Sequence, residues 1–170
     1  MTKRLLPVLS LILVASATTN LLAQAKFAVY ATGGGEKTGV NNEPWTVAGT
    51  FGIYYGLVRL GPIAIAADAR GDLSRNMTSA LFGPRAALAL PYLPLKPYVE
   101  VVGGVSNYNF QDEGPRTLTS GTYRWVAGLD TTIFPHCDWR LDYSYSGAGI
   151  SDLGITRHPQ SITSGLVVRF

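Results

Sequence analysis

The sequence predicts an all-β protein, an eight-stranded antiparallel up-and-down transmembrane β-barrel that follows an N-terminal signal peptide. Three observations support this fold class. Eight runs rich in Val, Ile, Thr and aromatic residues follow the leader, side chains within each run alternate between an apolar and a polar column, and long connections alternate with short ones. No stretch after residue 25 is long enough for a spanning helix. Strands are therefore expected to cross the membrane.

The first 25 residues have the pattern of a secretory signal peptide. Lys3 and Arg4 precede an apolar run, Leu5–Ala17, and Ala23–Ala25 supplies the small-residue pattern of a cleavage site. This run is shorter than the roughly 20 apolar residues that a transmembrane helix needs. We therefore expect the leader to be removed and residues 26–170 to form one barrel domain, with an uncleaved membrane anchor as the alternative.

Composition excludes two other classes of protein. Without Lys3 and Arg4 the net charge falls from +3 to +1, so the basic pI gives no support for binding to nucleic acid. Cys137 is the only cysteine of the sequence, and it rules out an intramolecular disulfide framework in an exported chain. The stability of the fold has to come from other interactions.

The eight runs have the length of tilted strands that cross a bilayer, about nine to eleven residues. They are 26–34, 46–57, 62–71, 80–90, 96–107, 121–133, 138–147 and 160–170. The connections between them have about 11, 4, 8, 5, 13, 4 and 12 residues. Outer-membrane barrels have short periplasmic turns and long outer loops, so both termini are expected in the periplasm and the long loops outside the cell. A soluble barrel of lipocalin type also has this up-and-down topology and is the alternative.

Alternation within the runs separates apolar from charged side chains. The third run places Ile63, Ile65, Ala67 and Ala69 in one column and Ala64, Ala66, Asp68 and Arg70 in the other. Apolar columns end in aromatic residues, as membrane girdles require: Tyr55, Tyr123, Trp125, Trp139, Tyr145 and Phe170. Polar columns contain small residues that a narrow lumen requires: Gly49 or Gly52, Ala64, Gly128, Ser144 and Gly165. These features favour an apolar outer face and a charged interior.

The charges of the polar columns are nearly balanced, which predicts an ion-pair network inside the barrel. Unpaired buried ions cost several kcal/mol, so charges in a narrow lumen are tolerated only when they are paired. The predicted network consists of Asp68, Arg70, Arg85, Glu100, Arg124, Asp130, Arg140, Asp142 and Arg169. We expect this network to fill and close the lumen. The alternative is that it gates a narrow pore for small solutes.

Together the leader, the girdled strands, the charged lumen, the Asp142-Tyr-Ser-Tyr145 repeat and the final Phe170 resemble the outer membrane protein A-like family of small bacterial barrels. The resemblance covers the whole chain after the leader. It implies an outer-membrane location, contact with membrane lipid and lipopolysaccharide, and assembly by periplasmic chaperones and the barrel-assembly machinery, with Phe170 as the assembly signal. A monomer without cofactors or metals is expected.

An enzymatic role is not expected. Some eight-stranded barrels act on lipid A with a serine and a nearby histidine, but His136 falls in a predicted periplasmic turn and His158-Pro-Gln-Ser161 lacks their histidine and serine arrangement. The sequence therefore favours a structural, surface-exposed scaffold of the outer membrane. A narrow gated pore and a surface adhesin or binding barrel are the alternatives, because this fold serves many functions.

Overall fold

The structure, a computed structural model, describes residues 27–37, 44–75, 77–89, 93–110, 116–150 and 155–170. These residues form nine β-strands: β1 (Phe27–Lys37), β2 (Thr46–Leu60), β3 (Ile63–Ser74), β4 (Met77–Leu88), β5 (Leu95–Phe110), β6 (Arg116–Phe134), β7 (Cys137–Ile150), β8 (Ile155–Arg157) and β9 (Gln160–Arg169). Within these ranges no helix is long and apolar enough to cross a membrane. The predicted signal peptide, residues 1–25, lies outside the described part of the chain.

The strands close into a single antiparallel barrel. Each strand from β1 to β7 pairs with its neighbour in sequence, and β9 pairs with both β7 and β1. The short β8 pairs only with the end of β7, so β8 and β9 together form the eighth wall of the barrel. The predicted eight-stranded up-and-down barrel is therefore confirmed. Below, rim A is the end at which β1, β3, β5 and β7 finish, and rim B is the end at which β2, β4, β6 and β9 finish.

The two faces of the wall have the opposite polarity to those of a soluble barrel. Phe82 and Trp125 face outward and are 63% and 57% exposed, whereas Asp68 and Arg140 face the lumen and are 0% exposed. The predicted separation of apolar and charged columns is confirmed, with the apolar column outside. A soluble barrel would place the apolar column inside, so the lipocalin-type alternative is wrong. The apolar belt is the surface that a strand-built transmembrane protein presents to lipid.

Rim A differs from the prediction because the strands continue into the segments assigned to loops. The third connection, predicted at 72–79, is reduced to residues 75 and 76, and the fourth, at 89–94, is longer than the third. The predicted regular alternation of long and short connections is therefore wrong. Alternating side chains continue through Asp72 and Ser79, which pair across β3 and β4 and face the lumen. Similarly, β8 occupies part of the predicted loop 148–159.

Glycines on the inner wall make room for tyrosine rings that lie over them. A Cβ atom at Gly52 would clash with the ring of Tyr30, and a Cβ atom at Gly128 would clash with the ring of Tyr98. Both tyrosines are buried. The small residues predicted for the polar columns therefore have a specific use, because they let large side chains lie flat against the wall and fill a narrow barrel.

Candidate functional site in the barrel lumen

Ten inward-facing side chains form a charged and aromatic layer across the middle of the lumen. We call this layer the central cluster. Its members are Tyr30, Tyr54, Asp68, Arg70, Arg85, Tyr98, Glu100, Asp130, Arg140 and Asp142. They come from β1 to β7, so the cluster links almost every wall of the barrel.

Asp130 is the most strongly paired carboxylate of the central cluster. Its Oδ2 atom lies 2.6 Å from Nη2 of Arg85 and 3.0 Å from Nη2 of Arg140, and its Oδ1 atom accepts a 2.8 Å hydrogen bond from Nε of Arg140. Arg140 is paired with Asp130 across neighbouring strands, whereas Arg85 reaches Asp130 from β4, two strands away from β6. Charge-assisted hydrogen bonds of this length are stronger than hydrogen bonds between neutral groups.

Arg70 and Arg85 extend the network to two further carboxylates. Arg70 Nη1 lies 3.5 Å from Oε2 of Glu100, and Arg70 Nη2 lies 3.4 Å from Oδ2 of Asp142. Nη1 of Arg85 lies 3.4 Å from Oε1 of Glu100. Each of these two arginines therefore contacts carboxylates on different strands. The guanidinium group suits this role because its five donors point in fixed directions.

Three tyrosines lie over the guanidinium groups, and two of them, Tyr30 and Tyr98, donate hydrogen bonds to carboxylates. The Arg85 guanidinium lies 3.6 Å from the ring centroid of Tyr98 and 4.4 Å from that of Tyr54, and Arg140 lies 4.1 Å from that of Tyr30. These distances are within the range of cation–π attraction. The Tyr98 hydroxyl donates to Asp142. Aromatic rings thus replace part of the hydration that the buried cations have lost.

A second group, the upper cluster, lies nearer rim A and is centred on Asp72. Its carboxylate accepts hydrogen bonds from Arg124 at 2.7 Å, Thr50 at 2.7 Å and Ser79 at 2.5 Å. Arg124 also donates through Nε to the hydroxyl of Ser146 at 2.7 Å. All five side chains are buried. Hydroxyl groups supply the hydrogen-bond partners that Asp72 and Arg124 have in addition to each other.

The third group, the mouth cluster, lies at rim B and consists of Lys96, Thr132, Asp138 and Arg169. Asp138 is buried and shared by two cations, with Lys96 Nζ 2.9 Å from Oδ2 and Arg169 Nη2 3.0 Å from Oδ1. Lys96 also donates to Thr132 at 2.9 Å. Unlike the cations of the other clusters, the side chains of Lys96 and Arg169 keep 22% and 19% of their surface exposed.

The nine residues predicted for the network all face the lumen, but they fall into three groups. Seven lie in the central cluster, whereas Arg124 belongs to the upper cluster and Arg169 to the mouth cluster. The role of these residues in closing or gating the barrel stays a prediction.

Several members of the three groups lie outside the predicted network. Asp72 falls in a segment predicted as a loop, whereas Lys96 and Asp138 lie in the inward columns of their own strands. The three tyrosines also have a recognisable signal in the sequence. They alternate with outward residues in β1, β2 and β5, so the period of the strands places them inside.

In the described part of the chain, no group of three or more His, Cys, Asp or Glu side chains is arranged to hold a metal ion. Cys137 is a free thiol next to the turn between β6 and β7. His158 stacks on Tyr145 with ring centroids 5.4 Å apart. His136 lies in the turn at rim B.

Comparison with known proteins supports the fold. No protein-family model matches the sequence, and no curated protein matches it significantly. Among solved structures, Neisserial surface protein A is similar, with a TM-score of 0.61, 16% identity, and coverage of 88% of this chain and 100% of that one. A de novo designed transmembrane β-barrel gives a TM-score of 0.55, 16% identity, and coverage of 88% and 98%. This chain thus has the fold of the small transmembrane barrels, and the resemblance inferred from its sequence is confirmed at that level.

Proposed function

We propose that this chain is a structural barrel of the bacterial outer membrane, and that its lumen is sealed by the central and upper clusters. The burial of the charged side chains carries this proposal. Four charged residues inside the barrel are each at most 1% exposed: Asp68, Glu100, Asp130 and Arg140. A water-filled channel would hydrate such groups. Here Glu100, Asp130 and Arg140 are paired with oppositely charged side chains, and Asp68 accepts a hydrogen bond from Tyr30.

The proposed address follows from the apolar belt. Outward residues such as Val99 and Phe51 are more than half exposed, so they need a lipid environment, and membrane lipid and lipopolysaccharide are the partners we propose. We place rim A outside the cell and rim B in the periplasm, as the resemblance implies. A monomer is proposed because the closed ring of strands β1 to β7 and β9 leaves no sheet edge in that part of the wall to pair with a second chain. The predicted leader would direct export to this location.

We do not propose an enzymatic activity. His158 is stacked on Tyr145, and Ser144 and Ser161 share a 2.7 Å hydrogen bond with each other inside the wall. Neither serine has a histidine as a hydrogen-bond partner among the contacts of the described residues, so these serines have no base at the distance that nucleophilic catalysis needs.

Ion conductance across a planar bilayer tests the sealed lumen. The wild-type barrel is expected to show no channels, because the central and upper clusters occupy the cross-section. Glu100→Ala and Arg124→Ala each remove one charged side chain from these clusters and are expected to allow brief openings. Lys96→Ala is the matched control at the mouth and is expected to stay silent. Heat-dependent migration on a detergent gel verifies that every variant is folded, and steady conductance of the folded wild type would show that the pore alternative is correct.

Phe170 remains our proposed assembly signal, and a matched pair of variants tests it. Its ring lies 6.0 Å from that of Phe27 at the seam between β9 and β1. Phe170→Ala is expected to slow assembly into the membrane. Phe27→Ala removes the same ring contact but leaves the aromatic of the last strand, so it is expected to assemble at the normal rate. Equal delays in both variants would mean that the ring contact matters and the signal does not exist.

A further inference from the structure

The central cluster contains one more carboxyl group than it has cations. Its acidic residues are Asp68, Glu100, Asp130 and Asp142, and its basic residues are Arg70, Arg85 and Arg140. All seven are buried. An uncompensated charge in such a place costs several kcal/mol. The cluster therefore needs either one further cation or one proton.

Asp68 is the carboxyl group that lacks an ion pair. Glu100, Asp130 and Asp142 each lie within 3.5 Å of an arginine nitrogen. No Lys, Arg or His nitrogen of the described residues lies within 4.0 Å of Asp68, which is 0% exposed. Its Oδ1 atom accepts a 2.7 Å hydrogen bond from the Tyr30 hydroxyl, and its Oδ2 atom has no hydrogen-bond partner among the described residues. Within that part of the chain, the direct partner of Asp68 is thus a neutral hydroxyl group.

Among the described residues, the basic side chains of the layer around Asp68 are the three arginines of the central cluster. Titratable groups in the layer come from seven strands: Tyr30 on β1, Tyr54 on β2, Arg70 on β3, Arg85 on β4, Tyr98 and Glu100 on β5, Asp130 on β6, and Arg140 and Asp142 on β7. From β9, Val167 closes the layer with an apolar side chain. Arg70 is linked to Asp68 through Tyr30. The Tyr30 hydroxyl donates to Asp68 and accepts a 3.3 Å hydrogen bond from Arg70 Nε.

We propose that Asp68 holds a resident proton in the closed barrel, and that this proton makes the central cluster electrically neutral. With Asp68 uncharged, Arg70, Arg85 and Arg140 balance Glu100, Asp130 and Asp142. Release of the proton to water leaves one unpaired negative charge in the layer. The proton is therefore a switch of the seal, and alkaline solution is expected to loosen it. This inference rests on the sealed lumen proposed above.

Infrared spectroscopy of the folded barrel detects the proton directly. A protonated carboxyl group has a carbonyl stretch apart from the bands of carboxylates and peptide groups, and the stretch shifts when the exchangeable proton becomes deuterium. The wild type near neutral pH is expected to show this band, and Asp68→Asn is expected to lose it. Asp138→Asn is the matched control, because it removes a buried carboxylate of the mouth cluster and leaves the charges of the central cluster unchanged, and it is expected to keep the band.

The possible outcomes are distinct. Absence of the band in the folded wild type overturns the proposal, and so does loss of the band in Glu100→Gln with retention in Asp68→Asn. The spectra do not depend on conductance. A barrel that conducts at neutral pH but shows the Asp68 band would therefore refute the seal and support the resident proton. A barrel that does not conduct and lacks the band would support the seal and refute the resident proton.

The alkaline response gives a second measurement that does not need the infrared band. Folded wild-type protein in detergent is expected to lose its heat-dependent gel shift as the solution becomes strongly alkaline, because ionised Asp68 is unpaired. Asp68→Asn contains the same tyrosines and arginines but has no proton to lose at this position, so it is expected to keep the folded band at the same pH. Equal loss in both proteins would contradict the switch. If the asparagine variant does not fold, a wild type that is unchanged by alkali contradicts it equally.

Discussion

The central cluster and the mouth cluster solve the same problem of charges inside a narrow barrel in different ways. In the centre, Arg140 is 0% exposed and lies between Asp130 and the ring of Tyr30. At the mouth, Lys96 and Arg169 keep about a fifth of their surface in contact with solvent and share Asp138. Cations of the centre have exchanged water for carboxylates and aromatic rings, whereas those of the mouth retain part of their hydration.

This difference indicates which ion pairs contribute strongly to the stability of the fold and which contribute little. A buried ion that loses its partner has no water to replace it, so removing one member of a pair costs several kcal/mol. A partly exposed ion is solvated when its partner is lost, and such pairs contribute about 0–1 kcal/mol. The same substitution in the two clusters should therefore give very different results.

The largest effect is expected for Arg140→Met in the central cluster. The change leaves Asp130 with Arg85 as its remaining cation and gives the central cluster, which is neutral when Asp68 is protonated, one unbalanced negative charge. The free energy of unfolding is expected to fall by about 3–5 kcal/mol. Urea unfolding of the barrel in detergent or lipid vesicles measures it.

A double variant separates charge from packing in that result. Adding Asp130→Leu to Arg140→Met removes the carboxylate that the first change leaves short of a partner, and an apolar pair of similar volume often replaces a buried ion pair without loss. At least half of the lost stability is expected to return. If the double variant is as unstable as the single one, the cost comes from lost packing around Tyr30 and not from charge.

A smaller effect is expected for Arg85→Lys, which keeps the charge but changes its shape. The guanidinium group lies against Tyr98 and Tyr54 while it contacts Glu100 and Asp130. An ammonium group has no planar face and cannot maintain all four contacts. We expect a loss of about 1–2 kcal/mol in urea unfolding. An unchanged value would show that the tyrosines only fill space.

The fold was predictable because strand periodicity is a strong and repeated signal. Alternation in the third run alone assigned Ile63 and Asp68 to opposite faces, and the structure agrees. Strand ends were less predictable, since Asp72 and Ser79 are polar residues typical of loops. In this protein Asp72 lies inside the barrel and accepts hydrogen bonds from Ser79 and from Arg124, which is far away in sequence. Composition of a short segment does not reveal a partner on another wall.

The site was predictable in its members and less so in its grouping. Charges in the inward columns identify which residues face the lumen, but the tilt of the strands decides which of them meet. Arg85 and Asp130 are two strands apart and still lie 2.6 Å from each other. The surplus carboxyl group of the central cluster depends on this grouping, because Lys96 and Arg169 pair with Asp138 at rim B and form no ion pair with Asp68.

At the mouth, Lys96→Met is expected to cost less than about 1 kcal/mol, because Asp138 keeps Arg169 as its partner and the lost ammonium group was already partly hydrated. The measurement is the same urea unfolding as for Arg140→Met, which makes the two cations a matched pair. Added salt is expected to weaken the mouth pair of the wild type and to leave the central cluster nearly unaffected. Equal losses for the two variants would contradict the contrast between the clusters.

The smallest effect is expected at the turn that supports the mouth cluster. His136 has φ of 66°, and its carbonyl accepts a 2.8 Å hydrogen bond from the backbone nitrogen of Arg169. Residues with a side chain are strained in this region, whereas glycine is not. His136→Gly is therefore expected to raise the free energy of unfolding by about 1 kcal/mol or less. Gly61→Ala is the matched control at the turn between β2 and β3, where φ is 60°, and it is expected to lower stability by a similar amount. If His136→Gly lowers stability as well, the imidazole makes a contribution at rim B that exceeds the backbone strain.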